Sequence, residues 1–205
     1  MSQAVHLLAT YRPDGMLGSM NQTSPRKRQP DITQRRLLDV AGELVTESGV
    51  MALTLDAVAK RAGVSKGGLL HHFPSKHALL MAMVEDISSR FMGQVAEQAK
   101  GDPDSHGRSA RAYVRTVADE PAQEIRRWGA LSAAFMSDPS LMEDWRARLA
   151  ELRAVDVAEA ADPIGLMVAR LAADGLWLAD VGGLYGIDDE MRGRIAERLV
   201  ALTKS

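Results

Sequence analysis

The chain has 205 residues, with 25 Lys and Arg against 27 Asp and Glu, a formal net charge of −2 and a pI near 6.2. This balance argues against a protein that is basic throughout, since nucleic-acid-binding domains commonly have a pI above about 9. The absence of cysteine excludes disulfides, thiolate metal ligands and cysteine nucleophiles, and favours a cytoplasmic location. Because the sequence contains no apolar run of the roughly 18 residues that cross a bilayer, we expect neither a membrane anchor nor a signal peptide.

Residues 1–30 are predicted to form a disordered basic arm, because they contain glycines and prolines and few periodically spaced apolar residues. Two later methionines in the arm offer alternative start positions, so residues 1–19 need not belong to the native chain. The arm ends in a basic run that includes Arg28. Two interpretations are open for this run, a solvated tail or an arm that contacts nucleic acid.

Four helices are predicted from apolar residues at three- and four-residue spacing and from their start and stop signals. They cover about residues 31–48, 55–62, 66–72 and 76–100. Thr54, Ser65 and Ser75 are the predicted N-caps of the last three helices, because their hydroxyls can accept a backbone N–H.

The two short helices are joined by a turn of about three residues, which is the geometry of a helix-turn-helix. Ala59 is small enough for close crossing of the helices, Gly63 can take a positive φ, and Val64 fills the corner. An ordinary helical hairpin in an all-α protein is the alternative. DNA binding is the favoured interpretation.

Charge is unevenly distributed along the chain. Residues 24–80 contain nine basic and five acidic residues, a net charge of +4, whereas residues 81–205 contain fifteen basic and twenty-one acidic residues, a net charge of −6. This asymmetry indicates an anion-binding segment attached to a body with another role, although drift can also produce it.

The rest of the chain is predicted to form a helical bundle. Its helices are expected at about residues 105–118, 121–137, 139–160, 163–184 and 188–204, and no part of it suggests a strand. The predicted fold is therefore all-α. It comprises the arm 1–30, a helix-turn-helix domain 31–80 and a helical effector-binding and dimerisation domain 81–205.

The segment TLDAVAKRAGVSKGGLLHHFPSKHAL, which begins at Thr54, resembles the N-terminal DNA-binding domain of the tetracycline-repressor (TetR) family of bacterial regulators. The resemblance covers about Asp31 to Met83. It rests on a Thr before the second helix, Ala-Gly-Val-Ser in the turn, and Phe-x-x-Lys after the third helix.

The resemblance implies an all-α, homodimeric transcription factor that responds to a small apolar or amphipathic effector, usually as a repressor. Its implied partners are double-stranded operator DNA and a second copy of the chain, and no cofactor is implied. An activator or an architectural DNA-binding protein without an effector is the alternative. An enzyme is the least favoured class, because the sequence has no Cys nucleophile, metal-ligand cluster or phosphate-binding glycine loop.

The candidate DNA-binding residues lie in the arm and the helix-turn-helix. They are Arg28, Thr54, Ser65, Lys66, Gly67, Gly68, Leu70, His71, His72 and Lys76. Thr54 and Ser65 open helices whose N-termini can hold a phosphate, and each is equally explained as a plain N-cap. Lys66 either reads a guanine or neutralises a phosphate, and the two glycines permit close approach to the groove.

The resemblance places His71, His72 and Lys76 at positions that contact phosphate. A metal site involving His71, His72 and His77 is the less favoured alternative, because adjacent histidines diverge by about 100° on a helix. The family commonly has Tyr at the position of Leu70. This replacement removes a hydroxyl that often touches the DNA backbone and leaves an apolar side chain that can contact a thymine methyl group.

Trp128, Phe135 and Trp177 are the candidate effector-pocket residues, since pockets are mainly apolar and these are large side chains on the middle helices. The hydrophobic core is the alternative place for each. By position in the family, the last two helices are expected to form the homodimer interface, and intramolecular core is again the alternative.

Overall fold

The computed structural model describes residues 25–159 and 162–204, with the backbone alone described at 25–31, 135–137 and 158–159. The described residues form nine α-helices and two short 3-10 turns, and they contain no strand, which confirms the all-α fold. The helices are α1 (Pro25–Ser48), α2 (Leu55–Ala62), α3 (Lys66–His72), α4 (Lys76–Lys100), α5 (Arg108–Ala118), α6 (Ala122–Ser137), α7 (Glu143–Glu159), α8 (Pro163–Gly182) and α9 (Asp189–Leu202). The 3-10 turns are Val50–Ala52 and Pro139–Met142.

Local signals set the bounds of the helix-turn-helix. The hydroxyl of Thr54 accepts a hydrogen bond from the Ala57 N–H at 3.1 Å and starts α2. The helix ends at Gly63, whose φ of 68° lies in the left-handed region that glycine adopts without strain. The Val64 N–H then reaches back to the Ala59 carbonyl at 3.0 Å, so the chain turns directly into α3.

Two predicted helix starts differ from the structure. α1 begins at Pro25 rather than Asp31, so residues 25–30 of the predicted arm are helical, and proline at a first helical position loses no helical hydrogen bond. The helix predicted from residue 139 begins as the 3-10 turn, because the Asp138 carboxylate accepts from the Ser140 N–H at 3.1 Å and tightens the first turn. Residues 1–24 of the predicted arm lie outside the described residues.

A first hydrophobic core joins the helix-turn-helix to the helical body. It includes Leu37, Val45, Val58, Leu69, Phe73, Leu79, Met83, Trp128 and Leu131, each at most 8% exposed. Trp128 and Leu131 belong to α6, so this core crosses the predicted domain boundary at residue 80. The placement of the helix-turn-helix therefore depends on packing against α6.

A second core lies within the body. It includes Phe91, Val95, Ala112, Tyr113, Val117, Leu152, Ala169, Ala173 and Leu199 from five helices. The long helix α4 contributes Leu79 to Ile87 to the first core and Phe91 to Ala99 to the second. A tilt of α4 therefore changes the packing of both units.

A buried ion pair closes the turn between α4 and α5. Arg111 is fully buried, and its Nε donates to Asp102 Oδ2 at 2.7 Å. Its Nη1 donates to the carbonyls of His106 at 2.6 Å and Thr203 at 3.2 Å, which ties the turn to the end of α9. The hydrogen bond from Arg111 holds the pKa of Asp102 at about 2, below its ordinary value of 3.8.

Replacing Asp102 by Asn is expected to lower the free energy of unfolding by about 3 kcal/mol at neutral pH, because buried Arg111 keeps only the half-exposed Asp104 carboxylate, 3.7 Å away, as a counter-charge. The depressed pKa of Asp102 contributes about 2 kcal/mol that is present above the unfolded carboxyl pKa and is lost as pH falls toward 2. The difference in the free energy of unfolding between wild type and variant, measured by urea titration, should thus shrink as pH falls from the unfolded carboxyl pKa toward 2. The exposed Glu151→Gln is the control, and a difference independent of pH would contradict this assignment.

Candidate nucleic-acid interface

Helix α3 presents one face to solvent and anchors the other in the first core. Lys66, Gly67, Leu70 and His71 are exposed, with 37% of Leu70 accessible, whereas Leu69 is fully buried. Leu69 therefore fixes the rotation of α3 about its axis. The exposed face carries cationic, small and apolar groups, which are the groups that contact phosphates, groove floors and thymine methyls.

The three predicted caps have cap geometry. In addition to Thr54, the hydroxyl of Ser65 accepts from Gly68 N–H at 3.1 Å, and that of Ser75 accepts from Ala78 N–H at 3.0 Å. All three capping residues are exposed. Each hydroxyl satisfies a helix-end donor, which accounts for its presence without DNA, so its contact with phosphate stays a prediction.

Lys66 is held by a carboxylate of the neighbouring helix. Its Nζ lies 3.0 Å from Oδ1 of Asp56 on α2, and both side chains are more than 60% exposed. An exposed ion pair of this kind is worth at most about 1 kcal/mol, so the ammonium can exchange this partner for another anion.

The two histidines of α3 and the lysine after it have different surroundings. His71 is exposed and His72 half-buried, with their ring centroids 5.6 Å apart. Lys76 instead donates to the carbonyl of Val50 at 3.0 Å and that of Met51 at 3.4 Å. It therefore ties the Val50–Ala52 turn to the start of α4. A phosphate contact by Lys76 depends on its remaining N–H donor.

The predicted arm residue Arg28 lies in α1, and its side chain falls outside the described side chains. The same holds for Phe135 of the predicted effector pocket. No group of three His, Asp or Glu side chains among residues 25–159 and 162–204 is arranged to hold a metal ion. None of the helices in these ranges is both long and apolar enough to cross a membrane.

The body contains a chain of aromatic rings. Phe91 contacts Tyr113 and Trp145 at centroid distances of 5.3 and 5.6 Å, and Trp145 contacts Trp128 at 5.6 Å. Trp128 is 8% exposed, and Trp177 is half-buried against both cores. The sequence analysis did not single out Trp145 as a member of this group of rings. Its spacing from Leu149 and Leu152 places all three residues on one helix face, which is the signal that could have found it.

Polar groups lie beside these rings, with Ser109, Asp156 and Arg170 buried and Asp174 exposed. The Tyr113 hydroxyl donates to Asp174 at 2.5 Å, and the Arg170 guanidinium lies 5.0 Å from the Tyr113 ring centroid. Arg170 donates to Asp156 at 2.7 Å and to Ser109 at 2.8 Å, while its Nη1 is buried without a hydrogen-bond partner. Burial raises the pKa of Asp174 above its ordinary value and that of Tyr113 well above its own. Aromatic and polar groups therefore converge inside the body.

An open cleft of about 580 Å³ lies elsewhere, between the end of α5 and α9. It is lined by Arg115, Ala118, Asp119, Asp189, Arg192, Gly193, Ala196, Glu197 and Val200. Trp128 and Trp177 do not line it. Five of its nine lining residues are charged, whereas the sequence predicts a mainly apolar pocket.

One face of α8 is apolar and exposed. Ile164, Val168, Leu171 and Leu178 are 74, 51, 62 and 55% accessible, and they recur at helical spacing. Met191 at the start of α9 is 46% accessible. By contrast, Ala179 of α8 and Leu199 of α9 are buried within this chain, so for these two residues of the last two helices the alternative of intramolecular core holds.

Two family models match the chain. One, described as "Bacterial regulatory proteins, tetR family", matches residues 37–83. The other, described as "Tetracyclin repressor-like, C-terminal domain", matches residues 107–204. Together they include the helix-turn-helix and helices α5 to α9.

Curated proteins and solved structures agree with these matches. The chain is 31% identical over 166 residues to the HTH-type transcriptional regulator BetI of Klebsiella pneumoniae, covering 75% of this chain and 85% of that protein. A transcriptional regulator from Rhodococcus sp. Rha1 superposes with a TM-score of 0.69 at 22% identity, covering 83% of this chain and 95% of that one. The multidrug binding protein EbrR, complexed with malachite green, gives a TM-score of 0.64 at 20% identity over 83% and 97% of the chains. These structural likenesses show the fold.

Replacing Gly67 by Ala is expected to raise the free energy of unfolding by about 1 kcal/mol, because alanine is the better helix former and its Cβ meets nothing within 4 Å. The matched Gly68→Ala should gain less, since its Cβ would lie 3.3 Å from the Ser65 hydroxyl oxygen. Urea unfolding measures both. A loss of stability in Gly67→Ala would mean that the fold itself requires this glycine.

Proposed function

The chain belongs to the tetracycline-repressor (TetR) family of bacterial transcriptional regulators, and we propose from this that it acts as a cytoplasmic, homodimeric repressor that a small-molecule effector releases from its operator. The observation that carries the proposal is the exposed face of α3 on a helix-turn-helix anchored by Leu69. That arrangement suits a recognition helix in the major groove of double-stranded DNA.

Each residue of the interface has a chemical role in this proposal. Lys66 contacts a guanine edge or a phosphate, and Leu70 contacts a thymine methyl group. Gly67 and Gly68 let the backbone approach the groove, while His71 and His72 contact phosphate. Thr54, Ser65, Arg28 and Lys76 complete the backbone contacts, which supply affinity that depends on salt.

The second copy of the chain packs on the exposed stripe of α8 together with α9. The stripe supports this because four large apolar side chains at helical spacing are accessible there, and monomeric proteins rarely expose such patches. A two-fold dimer then presents two α3 helices to successive major grooves, which lie about 34 Å apart.

The effector occupies the body beside the aromatic rings, near Trp128 and Trp177. The support is the convergence of Phe91, Tyr113 and Trp145 with the polar groups of Arg170 and Asp174, a combination typical of small-molecule sites. The likeness to EbrR adds support for an organic ligand. Phe135 remains a candidate from the sequence alone.

Release of the operator follows from thermodynamic linkage between the effector site in the body and the DNA-binding face of α3. An effector that prefers the state with tilted α4 by about 1.4 kcal/mol weakens operator binding about tenfold. An activator or an effector-free architectural protein on the same fold is the second candidate, since fold does not decide regulatory sign. A compound that raises the melting temperature and also releases operator DNA would exclude the effector-free alternative.

Lys66→Ala is expected to weaken binding to the operator about tenfold, which fluorescence anisotropy at matched salt measures. The operator duplex is selected from a random library by the wild-type protein. If Lys66 contacts a phosphate, the loss is uniform across sequences and the salt slope falls by about one; if it reads a guanine, discrimination at one base pair is lost.

Lys100→Ala is the matched control for this experiment, because it removes the same charge from an exposed lysine at the far end of α4. His72→Ala tests a second predicted contact in the same assay. Binding by Lys66→Ala and His72→Ala as tight as that of the wild type would refute the residue assignment. Failure of the wild type to select any duplex would refute the proposed function.

Leu171→Glu is expected to convert the dimer to monomer and to abolish high-affinity operator binding, because it places a charge in the centre of the α8 stripe. Analytical ultracentrifugation measures the mass. Val157→Glu, at an apolar residue of α7 that is 56% exposed, is the control and should remain dimeric. A dimeric Leu171→Glu would show that the interface lies on another face.

A further inference from the structure

The guanidinium of Arg127 on α6 lies directly on the backbone of α1. A Cβ added at Gly42 would stand 2.5 Å from its Nε, 2.7 Å from its Cζ and 2.8 Å from an Nη atom. The Arg127 Nη2 also donates to the Leu38 carbonyl of α1 at 3.4 Å. Glycine at residue 42, which is buried in the middle of a helix, thus makes the space that the guanidinium fills.

Helix propensity does not explain this glycine. Glycine inside a helix is less favourable than alanine, and the Gly42 backbone has no special conformation that would require it. The contact with Arg127 is the feature of this position that favours a residue without a Cβ, because an added Cβ would force the guanidinium to move.

The contact is costly as well as close. Arg127 is half-buried, its Nε is buried without a hydrogen-bond partner, and burial lowers the pKa of its guanidinium from the ordinary value. The nearby charges of Glu124, Asp86 and Asp39 oppose this effect, while Arg90 adds to it. A methionine side chain ends at the depth of the Arg127 Nε, so it keeps the aliphatic part of the packing and removes the buried charge, and its fold is expected to be about as stable.

The location of the contact gives it a role in operator binding. α6 belongs to the body that carries α8 and α9, whereas α1 packs against α2 and holds the helix-turn-helix. A shift of α1 along α6 would move α3 relative to the body. The separation of two recognition helices in a dimer would change, although each helix-turn-helix would stay intact.

We propose that Arg127 is a positioning residue that seats α1 on α6 and thereby sets the spacing of the two recognition helices for a complete operator. The inference rests on the proposed homodimeric regulator. It predicts a selective defect, because an operator with two half-sites requires correct spacing and a single half-site does not.

The test compares Arg127→Met with wild type on two duplexes by fluorescence anisotropy. One is the palindromic operator that the wild type selects from a random library, and the other keeps one half-site with the second scrambled. We expect roughly five- to tenfold weaker binding to the palindrome, with half-site binding and melting temperature little changed. Arg126→Met, at an exposed neighbour on α6, removes the same charge and sets the baseline.

Gly42→Ala tests the same contact from α1. The added Cβ should displace the flexible guanidinium while favouring the helix, so the variant should fold and show the same selective loss. The double variant Gly42→Ala/Arg127→Met should lose no more than either single variant, since both remove one contact.

Three results would overturn the inference. They are palindrome binding by Arg127→Met equal to that of Arg126→Met, equal losses on palindrome and half-site, and losses that multiply in the double variant. Should Arg127→Met not fold, palindrome binding by Gly42→Ala at the wild-type level would overturn it equally. Failure of the wild type to select any duplex contradicts the proposed function instead, so the two failures are distinguishable.

Discussion

Helix α4 is shared between two hydrophobic cores, and the rest of the structure depends on this constraint. Its first half packs with the helix-turn-helix and α6, and its second half packs with α5, α7, α8 and α9. Protein interiors are close-packed and yield little to gradual deformation, so a change at one end of such a helix is passed on as a discrete repacking. The helix-turn-helix and the helical body are therefore mechanically connected by a single helix.

Ion pairs lie beside the apolar contacts of this helix at the domain boundary. Arg35 of α1 pairs with Asp86 of α4 at 2.5 Å, and Arg90 of α4 approaches Glu124 of α6 at 3.4 Å. His77 Nδ1 at the start of α4 lies 3.0 Å from Asp138 Oδ2. The pair between His77 and Asp138 is about half exposed, and ion pairs of that kind contribute little net stability and can exchange partners at small cost. The first core, which includes Trp128 and Leu131 of α6, is what joins the two units at the boundary.

The sequence predicted what local chemistry decides. The bounds of α2 and α3 follow from Thr54, Gly63 and Ser65, whose effects reach only three or four residues along the chain. By contrast, the hydrogen bond from Lys76 to the Val50 carbonyl and the packing of the Arg127 guanidinium against Gly42 join residues far apart in sequence. Only the folded chain brings these groups together, so periodicity and capping signals contain no information about them. The effector site is hard to predict for the same reason, because core and pocket use the same large apolar side chains.

If Lys66 contacts DNA as proposed, its ion pair with Asp56 adds a cost to that contact. The carboxylate at 3.0 Å occupies the ammonium before any DNA arrives, so a contact with DNA is an exchange of one anion for another. The net free energy of that contact is the difference between the two partners. Lys66 would leave Asp56 in a cognate and in a nonspecific complex alike, so Asp56 would lower both affinities by the same factor. The ratio between them would then be set by the other contacts of α3.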